Sequence, residues 1–253
     1  MAPYVIALAV LVGLGRSSRM PAALGGNLPF ERSRSNSSTD RTMIAIGRAT
    51  PSGVQPRMAR PRSPDYAAKR DVILTRAAQL FAEFGYSATS IAMIARACGV
   101  SKALLYHYYP DKEAVLFDLL RAHLEALIGV VEAAAQGRGE AKLHALSGAL
   151  LEAYRDADAP HQVQISSLKL LGAEKQEALR KLERRLVDLF AQAIGEALPE
   201  LADSTLLKPV TLSLLGMLNW HFLWRREGRG LTRADYARLA TTLLLGGAKA
   251  ALA

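Results

Sequence analysis

Cysteine is almost absent: Cys98 stands alone among 253 residues. No intrachain disulfide is available, so packing alone must hold the chain, which fits a reducing compartment. The five histidines, His107, His123, His144, His161 and His221, are scattered, and none shares a metal-ligand spacing with the cysteine. No structural zinc and no other cofactor is expected. Catalytic signatures are missing too: there is no Ser/His/Asp order, no glycine-rich phosphate loop and no carboxylate pair in a defined context. An enzyme is not expected. No stretch alternates apolar and polar residues with a period of two, which leaves an all-α fold. The apolar run from Pro3 to Leu14 falls short of the about 20 residues that cross a bilayer, and it lacks the basic segment and the Ala-x-Ala site of an export signal. No membrane partner is expected, and a cytoplasmic location is.

What is present begins with charge, and it is unevenly placed. The formal net charge is +9, but residues 1–70 hold eleven Lys and Arg against three acids, while residues 71–253 hold 21 basic and 20 acidic groups. The excess therefore sits in a leader, residues 1–62, whose stretch from Asn27 to Arg62 is rich in Ser, Arg, Pro and Gly. Such a composition cannot form a core and should be disordered. Met58 opens a short basic arm of ordinary length for a DNA-binding domain, so translation is expected to start there. Charge by itself argues only for loose attraction to polyanions; specificity has to come from a motif.

That motif occupies residues 63–112. Ser63, Pro64 and Asp65 form a helix start, with a hydroxyl cap, a proline at the first position and an acid at the positive helix end. Ile73, Ala77, Leu80, Phe81 and Phe84 then recur on one face, and Gly85 supplies a left-handed stop. Thr89 is expected to cap a second helix whose Ile91, Ile94, Ala95 and Cys98 point inward. Gly99 makes a tight turn, Val100 fills the gap between helices, and Ser101 caps a third helix. Leu105 and Tyr109 face the core; Lys102 and Tyr106 form one outward row, and Ala103 and His107 the next. Asp111 caps a following helix and leaves Lys112 in its first turn, where free backbone N–H groups also attract phosphate. Two short helices joined by a tight turn, with donors and aromatics on the outer face of the second, suit a DNA major groove. Lysine can reach guanine or phosphate, alanine a thymine methyl, and Tyr and His phosphate oxygens.

These residues carry a resemblance. Ile73, Leu74, Ala77, Ala78, Leu80 and Phe81, then Phe84 to Tyr86, Thr89, Ile94 and Ala95, Gly99 to Ser101, and Leu105 to Tyr109 with Lys112 and Glu113, resemble the N-terminal domain of the TetR family of bacterial repressors over about residues 66 to 120. By that resemblance, Tyr106, His107, Tyr108 and Lys112 grip the DNA, mostly its backbone, and Ser90, Ser101, Lys102 and Ala103 stand where base or phosphate contacts come from. Two positions depart from the family pattern. Ala103 replaces a common Gly and could alter operator preference; Tyr109 replaces a common Phe and should be a tolerated core change.

Residues 113–253 read as a regulatory and dimerisation domain. Helical stretches are expected at about 139–156, 160–170, 173–197, 203–227 and 232–250, after a long helix whose Val115, Leu116, Leu119, Leu120, Leu124, Leu127 and Ile128 form one stripe. In this fold class Leu206, Val210, Leu214 and Leu218, with Leu239, Leu243 and Leu244, would pair with their two-fold copies as a homodimer. The segment from Gly216 to Thr232 is similar to a TetR subgroup that answers to acyl-CoA thioesters. Asn219, Trp220 and Trp224 are candidates to line an effector tunnel, and Arg225 to meet a nucleotide head; core or dimer packing is the alternative for the Trp pair. The resemblance implies a dimeric repressor on a palindromic double-stranded DNA operator, released by a small hydrophobic effector such as an acyl-CoA. Activation in place of repression is equally compatible. The rival is a helical lipid-binding or membrane-tethered protein with no operator, which leaves the segment from Ser101 to Lys112 without a purpose.

Overall fold

The structure, a computed structural model, describes residues 64–155, 157–224 and 230–252. The leader, the expected start at Met58, the expected cap Ser63, the side chain of Trp224 and all of Arg225 lie outside the described residues. Among those described there are nine α-helices and no strand, so the fold is all-α. They are α1 (Pro64–Ala88), α2 (Ile91–Ala97), α3 (Lys102–Tyr108), α4 (Lys112–Ala133), α5 (Gly139–Ala153), α6 (Asp158–Ser167), α7 (Ala173–Ala197), α8 (Leu207–Trp224) and α9 (Arg233–Leu252). No described helix is long and apolar enough to cross a membrane.

Helix starts and stops follow local chemistry. Regular α1 geometry stops at Gly85, whose φ of 80° lies in the left-handed region that only glycine enters without strain. Thr89, expected as the cap of the second helix, has another task. Its hydroxyl is buried and donates back toward the carbonyls of Leu80 (3.1 Å) and Gly85 (2.9 Å). The cap of α2 is the next residue, Ser90, whose Oγ accepts from the Met93 N–H. Phe84 is also corrected: with the chain turning at Gly85, its ring is 48% exposed and leaves the inner face to Ile73, Ala77 and Phe81. Helices α5 and α6 are shorter than their apolar patterns suggest, and α8 begins at Leu207, four residues later than expected. The 3-10 turns Leu168–Leu170 and Pro199–Leu201 take up part of the connecting chain.

Two apolar clusters organise the molecule. The first joins α1, α2 and α3 to the N-terminal half of α4, and reaches Val163 of α6 and Leu171 and Leu179 around the start of α7. The second fills the space between the C-terminal half of α4 and helices α5, α7, α8 and α9. Each fully buried Leu contributes about 1.5–3 kcal/mol, and α4 supplies both clusters, so it is the shared beam. Of the residues assigned from sequence to a dimer face, Leu214 and Leu218 are fully buried in the second cluster, whereas Leu206, Leu239 and Leu243 stay exposed.

Candidate nucleic-acid interface and effector cavity

The turn between α2 and α3 is defined by its hydrogen bonds. The Gly99 N–H donates to Arg96 O and the Val100 N–H to Ala95 O, the paired closure of a helix that ends in a left-handed residue, and Gly99 has φ of 66°. Ser101 then caps α3, its Oγ accepting from the Leu104 N–H at 3.1 Å. Leu105 is fully buried and Tyr109 nearly so, and these two anchors leave Lys102, Ala103, Leu104, Tyr106 and His107 exposed on the other side of α3. The Lys102 ammonium lies 5.7 Å from the centre of the Tyr106 ring, so the outward row is pre-shaped. Tyr108 is half-buried, stacked on Tyr66 of α1 with ring centres 4.5 Å apart and edge-on to His107. Sequence reasoning missed Leu104 and Tyr66. Leu104 precedes an anchoring leucine and reads as core, while Tyr66 is forty-two positions from its stacking partner.

Lys112 reaches inward. Its Nζ donates to the carbonyls of Tyr86 (2.7 Å), Ser87 (3.3 Å) and Thr89 (2.8 Å), and lies 4.3 Å from the Tyr86 ring centre. It thereby clamps the chain that leaves α1 and enters α2. Tyr109 is more than a tolerated substitution for Phe, because its hydroxyl donates to Asp118 Oδ2 at 2.7 Å. Asp118 also accepts two bonds from the Arg70 guanidinium, both 2.7 Å, and one from Arg121 at 2.8 Å. Burial alone would raise the Asp118 carboxyl, but these donors outweigh it and hold its pKa well below the usual carboxylate range. One carboxylate thus ties α1, the end of α3 and α4 together.

Behind the reading head, residues of helices α4, α6, α7, α8 and α9, with Tyr154 just after α5, line a cavity of about 450 Å³, within the size range of small-ligand sites. Its apolar wall includes Leu124, Leu127, Ile165, Leu186, Leu212 and Leu215. Its polar members are Tyr154, His161, Gln164, Glu183, Asn219 and Trp220, with Tyr236 at the edge of α9. Asn219 and Trp220 therefore lie where an effector could touch them. The Tyr154 hydroxyl donates to Asn219 Oδ1 at 2.7 Å, and Gln164 Nε2 donates to Glu183 Oε1 at 3.1 Å. Burial pushes the Glu183 carboxyl up and brings the His161 imidazole down to about 4. His161, Gln164 and Glu183 were not singled out as site residues in the sequence. They stand on two consecutive helices, α6 and α7, and only the packing of these helices against α4 and α8 brings them to one cavity.

The two halves also match known proteins. Residues 73–119 match the sequence pattern of bacterial regulatory proteins of the tetR family, and residues 136–248 match the tetracyclin repressor-like C-terminal domain. The chain is 34% identical to a TetR-family transcriptional regulator from Bordetella parapertussis 12822, over 70% of this chain and 93% of that one, with a TM-score of 0.65. The chain belongs to the TetR family. Members of this family are DNA-binding transcription regulators without catalytic activity, and α2 and α3 are the helix-turn-helix of this TetR-family chain. It is also 38% identical over 72 residues to the HTH-type transcriptional regulator RutR of Escherichia coli (strain K12), covering 28% of this chain and 34% of RutR. Matches of this kind span only about a fifth to a third of the length of the curated relatives. AibR, solved in complex with isovaleryl coenzyme A and operator DNA, shares the fold at 24% identity and a TM-score of 0.63, over 70% of this chain and 98% of that one.

Proposed function

We propose that this TetR-family chain is a cytoplasmic, dimeric transcriptional repressor that leaves its palindromic operator when a small hydrophobic effector enters the cavity. The observation that carries the reading is the mechanical continuity between a donor-bearing, exposed α3 and the cavity. Leu124 and Leu127 of α4 line that cavity, and Asp118 of the same helix holds the reading head. Leu124 stands six positions after Asp118, about 9 Å along the helix at 1.5 Å per residue. Helix α6 provides a second link. His161, Gln164 and Ile165 line the cavity, while Gln162 Nε2 donates to Ala82 O of α1 at 3.5 Å.

In the complex, Lys102, Ala103, Tyr106 and His107 enter the major groove or meet its phosphates, Tyr108 flanks them, and Ser90 and Ser101 stand at the helix ends nearest the backbone. Lys112 acts by holding the chain between α1 and α2 in place, with its ammonium already on three carbonyls. Dimerisation uses the exposed Leu239 and Leu243 of α9 and Leu206 ahead of α8. Two copies then present α3 to successive major grooves about 34 Å apart, and an effector that favours another spacing lowers DNA affinity. An acyl-CoA thioester is the proposed effector, supported by the similarity of the segment from Gly216 to Thr232 and by the fold shared with AibR. A gel shift of the purified protein on DNA from upstream of its own gene, with and without phenylacetyl-CoA and a long-chain acyl-CoA, tests this. A band released by one thioester is expected. A band indifferent to both removes the acyl-CoA assignment, and no band on that or neighbouring intergenic DNA removes the repressor.

A further inference from the structure

The cavity wall makes demands that reach beyond apolar fit. Among the described residues that line it there is no Lys or Arg, and their one formally charged group is an acid, Glu183. His161 is 3% exposed; among the described residues the Asn219 backbone carbonyl lies near its ring but makes no well-formed hydrogen bond to either nitrogen. The Gln164 Oε1 atom is likewise buried and unpartnered, although the other end of that amide donates to Glu183. A neutral imidazole carries one donor and one acceptor, and an amide oxygen is an acceptor. The wall therefore holds two unmatched acceptors and one imidazole donor that the nearby Asn219 carbonyl engages only weakly, and buried polar groups of this kind are almost always paired in a working state. The neighbouring polar groups cannot relieve them: the Tyr154 hydroxyl is directed at Asn219, and His123, 6.0 Å from His161, has its own unpartnered Nε2.

We propose that this cavity takes a hydrophobic group, of a free molecule or of a CoA thioester, whose uncharged polar end both donates and accepts hydrogen bonds, and that His161 and Gln164 select it over the corresponding free carboxylate. The inference rests on the effector-cavity reading above and narrows its ligand class. A carboxylate offers acceptors only. It would also face Glu183 with no cation among the described lining residues, or require a charged imidazole in a site where burial keeps that ring neutral at pH 7. A primary amide or an alcohol answers both His161 and Gln164. So does an acyl thioester, through its carbonyl and the nearby amide N–H of its pantetheine arm. The free acid released by thioester hydrolysis fails the same test, so the site separates an activated acyl group from its hydrolysis product.

The test uses matched pairs on the full chain at pH 7.4: decanamide against decanoate, and phenylacetamide against phenylacetate, by isothermal titration calorimetry and thermal shift. In at least one pair the amide is expected to bind ten-fold or more tightly than the acid. Gln164→Leu and His161→Phe are each expected to bring that ratio to within about two-fold. Acid binding as tight as amide binding overturns the proposal. So does a preference unchanged in both variants, or a lack of binding by all four compounds. Should His161→Phe fail to fold, Gln164→Leu alone decides. Operator binding is measured separately without any compound: its loss would refute the regulator reading, whereas a protein that binds DNA and prefers acids refutes only this inference.

Discussion

Replacing Asp118 with Asn tests whether the reading head is held by one carboxylate. Asp118 is 14% exposed at its side chain, and it accepts four bonds, two from Arg70 and one each from Tyr109 and Arg121. The amide keeps the shape but removes the charge and one acceptor, and leaves Arg70, 25% exposed, without its strongest partner. Hydrogen bonds to charged groups contribute about 1.5–3 kcal/mol each. Loss of one partner from a fully buried pair costs about 3–5 kcal/mol, and partial exposure of both arginines reduces this. The expected net loss is about 2–3 kcal/mol. For a chain of this size about 1 kcal/mol moves the melting midpoint by roughly 2–4 °C, so Asp118→Asn should melt about 4–12 °C lower by calorimetry at pH 7. Tyr109→Phe removes a single bond and should cost about 1 kcal/mol. The sign with pH is fixed: a carboxyl held below its unfolded value stabilises above about pH 4, and that contribution disappears as pH falls further. A variant melting within 1 °C of the parent at pH 7 would refute the claim that this contact holds the head.

Tyr106→Ala should weaken operator binding by about 1–3 kcal/mol if the phenol makes a charge-assisted phosphate bond, and an unchanged titration by fluorescence anisotropy removes that contact. Lys112→Met should cost about 2 kcal/mol of stability, because three carbonyls lose their donor; a urea midpoint equal to the parent's argues against the clamp. Burial lowers His123 to about 3, helped by the neighbouring His161, and lowers His161 to about 4. An unfolded histidine takes up its proton near pH 6.5, so below that the unfolded state binds more protons and stability falls. Between pH 7 and pH 5 the loss is about 2 kcal/mol per ring, and His161→Phe should remove about half of it; equal pH slopes in parent and variant would contradict the buried, neutral pair. Leu243→Glu, at a side chain 60% exposed, should shift sedimentation equilibrium toward monomer and abolish operator binding, while persistence of the dimer would move the interface off α9.

Most of the reading head was legible in the sequence because its determinants are local. A glycine in the left-handed region at Gly99, a serine cap at Ser101, an aspartate cap at Asp111 and the pair Leu105 and Tyr109 each act within one or two turns of chain. Where two local solutions compete, sequence does not choose between them. Thr89 and Ser90 are adjacent hydroxyls, either able to cap α2, and the choice went to Ser90 because Thr89 closes the turn at Gly85. Lys112 shows the same limit, since a first-turn lysine can turn outward to phosphate or inward to carbonyls.

The character of the chain, an all-helical protein with a helix-turn-helix at one end, follows from the sequence by itself. Apolar period, caps and turn glycines are one-dimensional signals that survive without knowledge of neighbours. Tertiary structure alone decided which leucines of α8 and α9 remain exposed, because Leu214 and Leu243 differ in what packs over them and not in their own chemistry. It also decided the cavity. His161, Gln164, Glu183 and Asn219 are ordinary polar residues on three helices. They become a recognition surface only because the packing of those helices takes water away from them and leaves some of their hydrogen bonds unmade.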